Sequence, residues 1–190
     1  MPNIYMIGGP NGAGKTTSAM SLMPELLSCD EYVNADAIAS GLSPFKPESS
    51  AIKAGRLMLQ KIRDLANSQK DFAFETTMAS RTFLPFLSEC KENGYAIRLL
   101  YLWLHSPELA LKRVESRVLS GGHHVPDEFV IRRYRNGLKN FFNLYIPIAD
   151  TWLLYDNSSL DTELIARKDK ESSISINNQV VWEKIQEKIK

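Results

Sequence analysis

Short apolar runs separated by amphipathic stretches recur along most of the chain. The longest run covers residues 95–104 and is interrupted only by Arg98, which predicts a strand buried on both faces. Four shorter runs predict further strands at residues 4–7, 32–34, 72–74 and 152–155. Buried strands of this length are typical of a parallel sheet.

Helical periodicity occupies the segments between the predicted strands. Small or apolar residues at positions 52, 55, 59, 62 and 66 share one helical face, so a long helix is expected from Pro47 to about Asn67. Other helices are predicted at residues 15–22, 81–93 and 106–119, from residue 127, and at about 141–149. Strands that alternate with helices predict an α/β fold whose mostly parallel sheet has roughly five strands. A C-terminal extension of about residues 160–190 is expected to form a hairpin and a helix.

Length and composition describe an ordinary globular chain. It has 190 residues, of which 44% are hydrophobic and 24% charged, and one domain spanning residues 1–190 is expected. A net charge of +1 does not favour nucleic acid as a partner. The sequence shows neither the start of a signal peptide nor an apolar run of membrane-spanning length, and Cys29 and Cys90 lack metal-binding spacing. We therefore expect a cytoplasmic protein with reduced cysteines.

The strongest local signal lies between the first predicted strand and the first predicted helix. A complete P-loop (Walker A) pattern is formed by Gly9, Pro10, Asn11, Gly12, Ala13, Gly14, Lys15 and Thr16, and Thr17 follows it. The glycines let backbone N–H groups turn toward an anion, and the helix N-terminus adds partial positive charge. Lys15 is expected to reach the β- and γ-phosphates, and the Thr16 hydroxyl to bind Mg²⁺. The motif predicts that ATP binds here with Mg²⁺.

Several classes of P-loop protein are compatible with this motif. A GTP-binding switch needs an Asn-Lys-x-Asp motif, which the sequence lacks. Residues 119–122 match the start of the ABC-type ATPase signature, but the expected apolar strand ending in Asp-Glu does not follow them. The pattern favours a small-molecule kinase, with a P-loop ATPase or regulatory module lacking a phosphoryl acceptor as the alternative. Phosphorylation of nucleic acid ends is supported only by the arginines at residues 132–135, without an aromatic stacking platform.

Two carboxylates follow predicted strands and are candidates for the chemistry. Asp36 could accept the proton of an acceptor hydroxyl as a general base, or it could cap the helix that follows. Glu75 ends an apolar strand, where a carboxylate needs a partner or a ligand. It could hold Mg²⁺ through water or cap the next helix, and Thr76, Thr77 and Ser80 could add hydrogen bonds to a substrate.

Basic residues flank a predicted Gly-Gly break in the second half of the chain. Arg113 and Arg117 lie one helical turn apart, which suits a helical lid of about residues 113–135 that presents guanidinium groups to a triphosphate. Arg132 and Arg133 lie beyond the break and could close from the other side, although each arginine could equally lie on a solvated helix face. His123 is expected to contact phosphate or substrate rather than a metal. Asn157 either touches the adenine or belongs to a polar turn.

In combination, these motifs resemble the zeta toxin family, and more narrowly its compact chromosomal members. The resemblance rests on residues 9–17, 34–36, 74–80, 113–117, 121–126 and 132–134, and it covers roughly residues 1–158. The family's members are P-loop kinases that phosphorylate a UDP-N-acetyl amino sugar with ATP and Mg²⁺. The resemblance implies that Asp36 is the catalytic aspartate and that Glu75 contacts a sugar-nucleotide acceptor such as UDP-N-acetylglucosamine. An antitoxin protein is a further partner that the resemblance raises.

Overall fold

The computed structural model describes residues 1–22, 29–122, 124–170 and 172–189. The described strands form one seven-stranded sheet in the order β2-β3-β1-β4-β5-β6-β7. Pairing along β2-β3-β1-β4-β5 is parallel, whereas β6 and β7 pair antiparallel to their neighbours. The strands are β1 (Asn3–Gly8), β2 (Tyr32–Val33), β3 (Phe72–Thr76), β4 (Ala96–Trp103), β5 (Thr151–Asp156), β6 (Glu163–Lys168) and β7 (Ser175–Ile176).

Seven α-helices within the described residues connect or follow these strands. They are α1 (Lys15–Leu22), α2 (Ala35–Leu42), α3 (Ala51–Asn67), α4 (Leu84–Glu92), α5 (Pro107–Leu119), α6 (Asp127–Asn140) and α7 (Gln179–Ile189). A 3₁₀ turn (Pro47–Ser50) precedes α3, and a π-helical turn (Phe141–Tyr145) followed by a 3₁₀ turn (Ile146–Ile148) continues α6. None of the helices described is both long and apolar enough to span a membrane.

Local sequence explains how the helices that border the P-loop begin. The Ser106 side chain accepts a hydrogen bond from the N–H of Leu109 (3.2 Å), and Pro107 occupies the first turn of α5. Asn34 caps α2 in the same way, accepting from the N–H groups of Asp36 and Ala37. Both helices therefore start directly after a strand, at the carboxyl edge of the sheet.

Two of the three packed clusters among the described residues hold the main core and the helices that follow β4 in place. Large aromatic side chains dominate the main core, where Tyr101 stacks on Phe141 with ring centroids 4.6 Å apart. A smaller cluster joins α5 and α6 to the end of β4 and to the P-loop; it contains Ala13, Leu102, Leu104, Ala110, Val114, Val125, Val130 and Tyr134. Because Ala13 belongs to this cluster, the P-loop is packed against the two helices that the sequence predicts as a lid.

The fold class expected from the sequence is confirmed, with two differences in detail. The predicted hairpin does not stand apart: β6 pairs with β5, Trp152 lying opposite Lys168, and this extends the sheet to seven strands. The helix predicted at residues 81–93 begins only at Leu84, because the N–H of Leu84 donates to the Arg81 carbonyl (3.1 Å) and closes a turn first.

Candidate functional site

The loop between β1 and α1 has the backbone geometry of an anion-binding nest. Gly9, Gly12 and Gly14 adopt φ values of 143°, 78° and 79°, alternating with residues of negative φ. Side chains are excluded here: a Cβ on Gly9 would lie 2.5 Å from the Leu102 carbonyl oxygen, and one on Gly14 would lie 2.8 Å from Nδ2 of Asn157. The loop ends at the N-terminus of α1, where partial positive charge favours a phosphate.

Lys15 is held over this loop by its own backbone. Its Nζ donates to the carbonyl oxygens of Gly9 and Pro10, each at 3.0 Å. Desolvation lowers the pKa of Lys15, while the nearby carboxylates of Glu75 and Asp36 oppose the shift. The ammonium group thus lies beside the nest and interacts electrostatically with two acidic side chains.

Glu75 is bound by two hydroxyl groups at the end of β3. Its Oε2 accepts from Thr16 Oγ1 (2.9 Å) and from the hydroxyl of Tyr32, and Asn34 Nδ2 donates to Thr16 Oγ1 (3.3 Å). Burial, followed by the Glu75 charge, raises the pKa of Tyr32. Both hydroxyls donate to one carboxylate oxygen, which leaves Glu75 as a fixed anion next to the P-loop threonine.

The sequence analysis did not identify Tyr32 as a site residue, and the register of the sheet shows why it belongs there. Tyr32 pairs with Ala73 in the parallel β2–β3 ladder. Side chains alternate along a strand, so Ala73 and Glu75 face the same side, and Tyr32 faces that side too. A tyrosine at the start of a short strand beside an acidic strand end could therefore have been assigned to the site.

Asp36 lies in the first turn of α2, and Asn34, rather than Asp36, caps this helix. The Asn34 Oδ1 accepts from the N–H of Asp36 at 2.7 Å and from that of Ala37 at 3.2 Å. The Asp36 carboxylate is exposed and lies 3.8 Å from a guanidinium nitrogen of Arg117 on α5. An acidic group on α2 thus faces a basic group on the opposite helix.

The remaining predicted arginines differ in their surroundings. Arg113 donates to the carbonyl oxygens of Asn157 (2.7 Å) and Ser158 (3.1 Å), which ties α5 to the end of β5. Arg133 donates to Asn11 Oδ1 of the P-loop (3.4 Å), and burial lowers its pKa. Arg132 lies 4.8 Å from the ring centroid of Phe129 instead. A phosphate contact by Arg113 or a substrate contact by Arg132 stays a prediction.

Two adjoining cavities connect these groups. The first, here called the P-loop pocket, has a volume of about 220 Å³ and is lined by residues of the P-loop with Arg113 and Arg117. The second, called the outer cleft, has a volume of about 480 Å³ and lies between α2, α3 and the end of β3. The two cavities share four lining residues, which are Asn11, Lys15, Asp36 and Glu75.

The outer cleft contains most of the substrate-binding residues predicted from the sequence. Those lining it are Asp36, Glu75, Thr76, Thr77 and Ser80. Arg133 lines the cleft as well, and Arg132 is not among the described residues that do so. His123 lies outside the described residues.

Asn157 has a visible role in positioning the P-loop. Its Nδ2 donates to the carbonyl oxygen of Ala13 (2.7 Å), and its Oδ1 accepts from the hydroxyl of Thr162 (2.6 Å). Both ends of the amide are thereby used within the protein. Contact between Asn157 and an adenine base stays a prediction.

Comparisons with solved structures support the fold. The chain superposes on a chain in the crystal structure of AvrRxo1-ORF1:-ORF2 with ATP with a TM-score of 0.80 and 18% identity, covering 97% of this chain and 63% of that one. It matches a structure of the PezAT chromosomal toxin-antitoxin system of Streptococcus pneumoniae with a TM-score of 0.66 and 18% identity, over 96% of this chain and 78% of that one. The chain thus spans less than two thirds of the AvrRxo1 chain. These structural likenesses establish the fold.

Sequence comparisons identify the family. An uncharacterized protein of Haemophilus influenzae (strain ATCC 51907 / DSM 11121 / KW20 / Rd) is 29% identical over 126 residues, which cover 66% of this chain and 88% of that protein. The family model described as Zeta toxin matches residues 45–167, well over half of the chain. This match confirms the resemblance to the zeta toxin family that the sequence motifs indicated. The chain belongs to the zeta toxin family.

Proposed function

We propose that this protein is an ATP- and Mg²⁺-dependent small-molecule kinase that transfers the γ-phosphate of ATP to a hydroxyl of a sugar nucleotide, such as UDP-N-acetylglucosamine. One observation carries the proposal: Lys15 and Asp36 line both the P-loop pocket and the outer cleft. A triphosphate in the first cavity and an acceptor in the second would therefore meet between an ammonium group and a carboxylate.

The residues around the P-loop fit a nucleotide with its metal ion. The Thr16 hydroxyl donates its hydrogen to Glu75 and accepts one hydrogen bond from Asn34, which leaves its second lone pair for a cation. Thr16 would bind Mg²⁺ directly, and Glu75 would hold it through water. When bound, the ion neutralises charge on the phosphates. Nucleotide binding is further supported by the nest of Gly9, Gly12 and Gly14.

Asp36 is suited to be the general base of the transfer. The acceptor oxygen forms a bond to the γ-phosphorus, the bond from that phosphorus to the β–γ bridging oxygen breaks, and the hydroxyl proton passes to the Asp36 carboxylate. Lys15 offsets the negative charge on the transferring group. Arg117, 3.8 Å from Asp36, lies where a guanidinium can contact the same group.

The lining of the outer cleft supports an acceptor with hydroxyls, a ring with apolar faces and negative charge. Thr76, Thr77 and Ser80 offer hydroxyl groups on one side. Apolar side chains from α2, from α3 and from the residue before α4 also line the cleft; these are Ala35, Ala39, Ile52, Met58, Leu59 and Phe83. Arg56 and Arg133 supply positive charge. A sugar nucleotide combines these three features, which supports it as the acceptor.

Closure and partners complete the proposal. Arg113 and Arg117 line the P-loop pocket, and residues of about 113–135 are proposed to form its lid, which would exclude water and so prevent wasteful hydrolysis. The similarity to a chain of the PezAT toxin-antitoxin system supports an antitoxin protein as a partner.

The kinase proposal can be tested directly with the purified chain. ATP, Mg²⁺ and either UDP-N-acetylglucosamine or a metabolite extract are incubated with the protein, and the products are analysed by mass spectrometry. We expect a species heavier by one phosphate, and we expect Lys15→Ala to abolish it with the fold intact, because Lys15 supplies charge to the transferring group. Phosphorylated product at near-normal rates from Lys15→Ala would contradict the assignment of the P-loop. A failure with UDP-N-acetylglucosamine but success with the extract would change the acceptor and keep the kinase.

A further inference from the structure

The loop of residues 76–80, here called the 76–80 loop, carries three of the hydroxyl groups that line the outer cleft. Within it, Met78 adopts a φ of 54°, a left-handed conformation that is uncommon for a residue with a side chain. The N–H of Met78 donates to Thr76 Oγ1 (3.2 Å), and the Met78 side chain is fully buried. A strained residue of this kind persists only where its surroundings hold it.

Helix α6 and the turn after it supply that support through two hydrogen bonds. Asn140 Nδ2 donates to the carbonyl oxygen of Met78 (2.9 Å). The hydroxyl of Tyr145 donates to the carbonyl oxygen of Ser80 (2.7 Å). Two backbone carbonyls of the loop are thus paired with side chains from one helical segment.

Close packing provides a third contact, at Gly137. A Cβ added to Gly137 would lie 2.3 Å from the carbonyl oxygen of Thr77. The helix and the loop therefore touch backbone to backbone, at a distance that only glycine allows. Gly8 of β1 packs against the side chain of Met78, where an added Cβ would lie 2.5 Å from Cε of Met78.

The same face of α6 also reaches the P-loop. Arg133, Gly137 and Asn140 are spaced by four and three residues, which places them on one side of the helix. Arg133 donates to Asn11, and the adjacent Tyr134 donates to the Leu104 carbonyl at the end of β4 (2.6 Å). The helix is therefore fixed at both the P-loop and the 76–80 loop.

We propose that Gly137 and Asn140 are positioning residues, which make α6 a fixed brace setting the 76–80 loop relative to the P-loop. The α6 half of the predicted lid, residues 127–135, then stays in place. The brace sets the acceptor hydroxyl at the right distance from the γ-phosphate, and this consequence rests on the proposed kinase function.

Hydrogen exchange of the ligand-free full chain tests the brace independently of any activity. Asn140→Ala removes one hydrogen bond, and we expect exchange of residues 76–83 to become about fivefold faster, with residues 9–17 unchanged. Tyr145→Phe should act in the same direction. The matched control is Asn136→Ala, the same substitution at an exposed position of α6. Unchanged exchange at residues 76–83 in both test variants, or equal acceleration along the whole chain, would overturn the brace.

Kinetics of Gly137→Ala then test the positioning role. Alanine ordinarily favours a helix over glycine, so a residue with only a helical role would give a more stable protein with unaltered kinetics. We expect instead that the KM for the acceptor rises about tenfold, because the added methyl pushes the loop away, while the KM for ATP stays within about twofold. UDP-N-acetylglucosamine is the probe, or the acceptor recovered from the extract. An unaltered acceptor KM in Gly137→Ala would overturn the positioning role of Gly137. If the unmodified protein transferred no phosphate to any acceptor, the kinase function would be wrong, but the hydrogen-exchange result would still test the brace.

Discussion

Single residues at the border of the two cavities have separable roles. Asp36 faces the outer cleft with its carboxylate exposed, whereas the Glu75 carboxylate is bound by Thr16 and Tyr32. A base must reach a proton in the cleft, and a metal-positioning acid must be held still. The exposure of Asp36 therefore supports a role as the base, and the hydrogen bonds to Glu75 support a role in positioning the metal ion. The sequence alone left helix capping open for both carboxylates.

Asp36→Asn should separate catalysis from binding. The amide keeps the shape of the side chain but cannot accept the proton, so the transfer rate should fall about a hundredfold or more. Binding of ATP, measured by calorimetry, should barely change. Asp161→Asn, an exposed aspartate on the loop before β6, is the matched control. A collapse of ATP affinity with a normal rate per bound complex would instead make Asp36 a structural or metal-binding residue.

Tyr32→Phe should act on the metal ion. Loss of the hydroxyl removes one of the two hydrogen bonds that orient Glu75, and supporting partners of this kind typically change metal affinity by about tenfold. The Mg²⁺ concentration for half-maximal activity should rise accordingly, while the rate at saturating Mg²⁺ changes little. Tyr155→Phe, in a groove that shares no lining residue with the outer cleft or the P-loop pocket, serves as the control. An identical Mg²⁺ titration for Tyr32→Phe would remove Tyr32 from the site.

Sequence reasoning reached Lys15, Asp36 and Glu75 because each follows a recognisable strand or motif. It named Arg132 and not Arg133 as a substrate contact, since neighbouring residues on a helix point about 100° apart and the rotation of α6 is set by tertiary packing. In the structure Gly137 packs against Thr77, and Arg133 is directed toward the P-loop.

At the scale of elements, the end of α5 determines where Arg117 lies. The N–H groups of Gly121 and Gly122 donate to the carbonyl oxygens of Val118 (2.9 Å) and Arg117 (2.8 Å), which is a Schellman cap. A Cβ on Gly122 would lie 2.6 Å from Cγ of Arg117. Gly121 and Gly122, which the sequence predicts as a break between helices, therefore also cap α5 and position Arg117 beside Asp36.

Gly122→Ala tests this positioning. The added methyl displaces the Arg117 side chain, and turnover should slow by about tenfold while ATP affinity changes much less. Gly41→Ala is the control, because a Cβ there meets no atom within 4 Å among those described. If Gly122→Ala and Gly41→Ala had equal effects on turnover, the cap of α5 would have no role in the reaction.

At the scale of the whole molecule, the C-terminal extension is part of the sheet and its packing. Trp182 of α7 is stacked parallel to Trp152 of β5 with ring centroids 6.2 Å apart, and Lys188 donates to the His105 carbonyl (2.9 Å). The sequence pattern predicted the hairpin and helix but not their attachment, because residues 157–162, which connect β5 to β6, form a longer loop than a two-residue hairpin turn and lack its sequence signal.

Trp182→Ala should lower the free energy of unfolding by about 3 kcal/mol, measured by chemical denaturation. The rate of transfer per folded molecule should stay unchanged, because the substitution lies away from both cavities. Val180→Ala, at an exposed position of the same helix, should have little effect. Equal stability of the two variants would mean that α7 adds nothing to the fold.

The coupling of ATP consumption to acceptor phosphorylation is the most direct test of the central claim. ADP and phosphorylated acceptor are measured together in reactions of the full chain with ATP and Mg²⁺, with and without the acceptor. Because Lys15 and Asp36 border both cavities, we predict that the two products form in equal amounts and that ADP formation is slow when the acceptor is omitted. ADP formation that runs equally fast without any acceptor would contradict the kinase and support the ATPase.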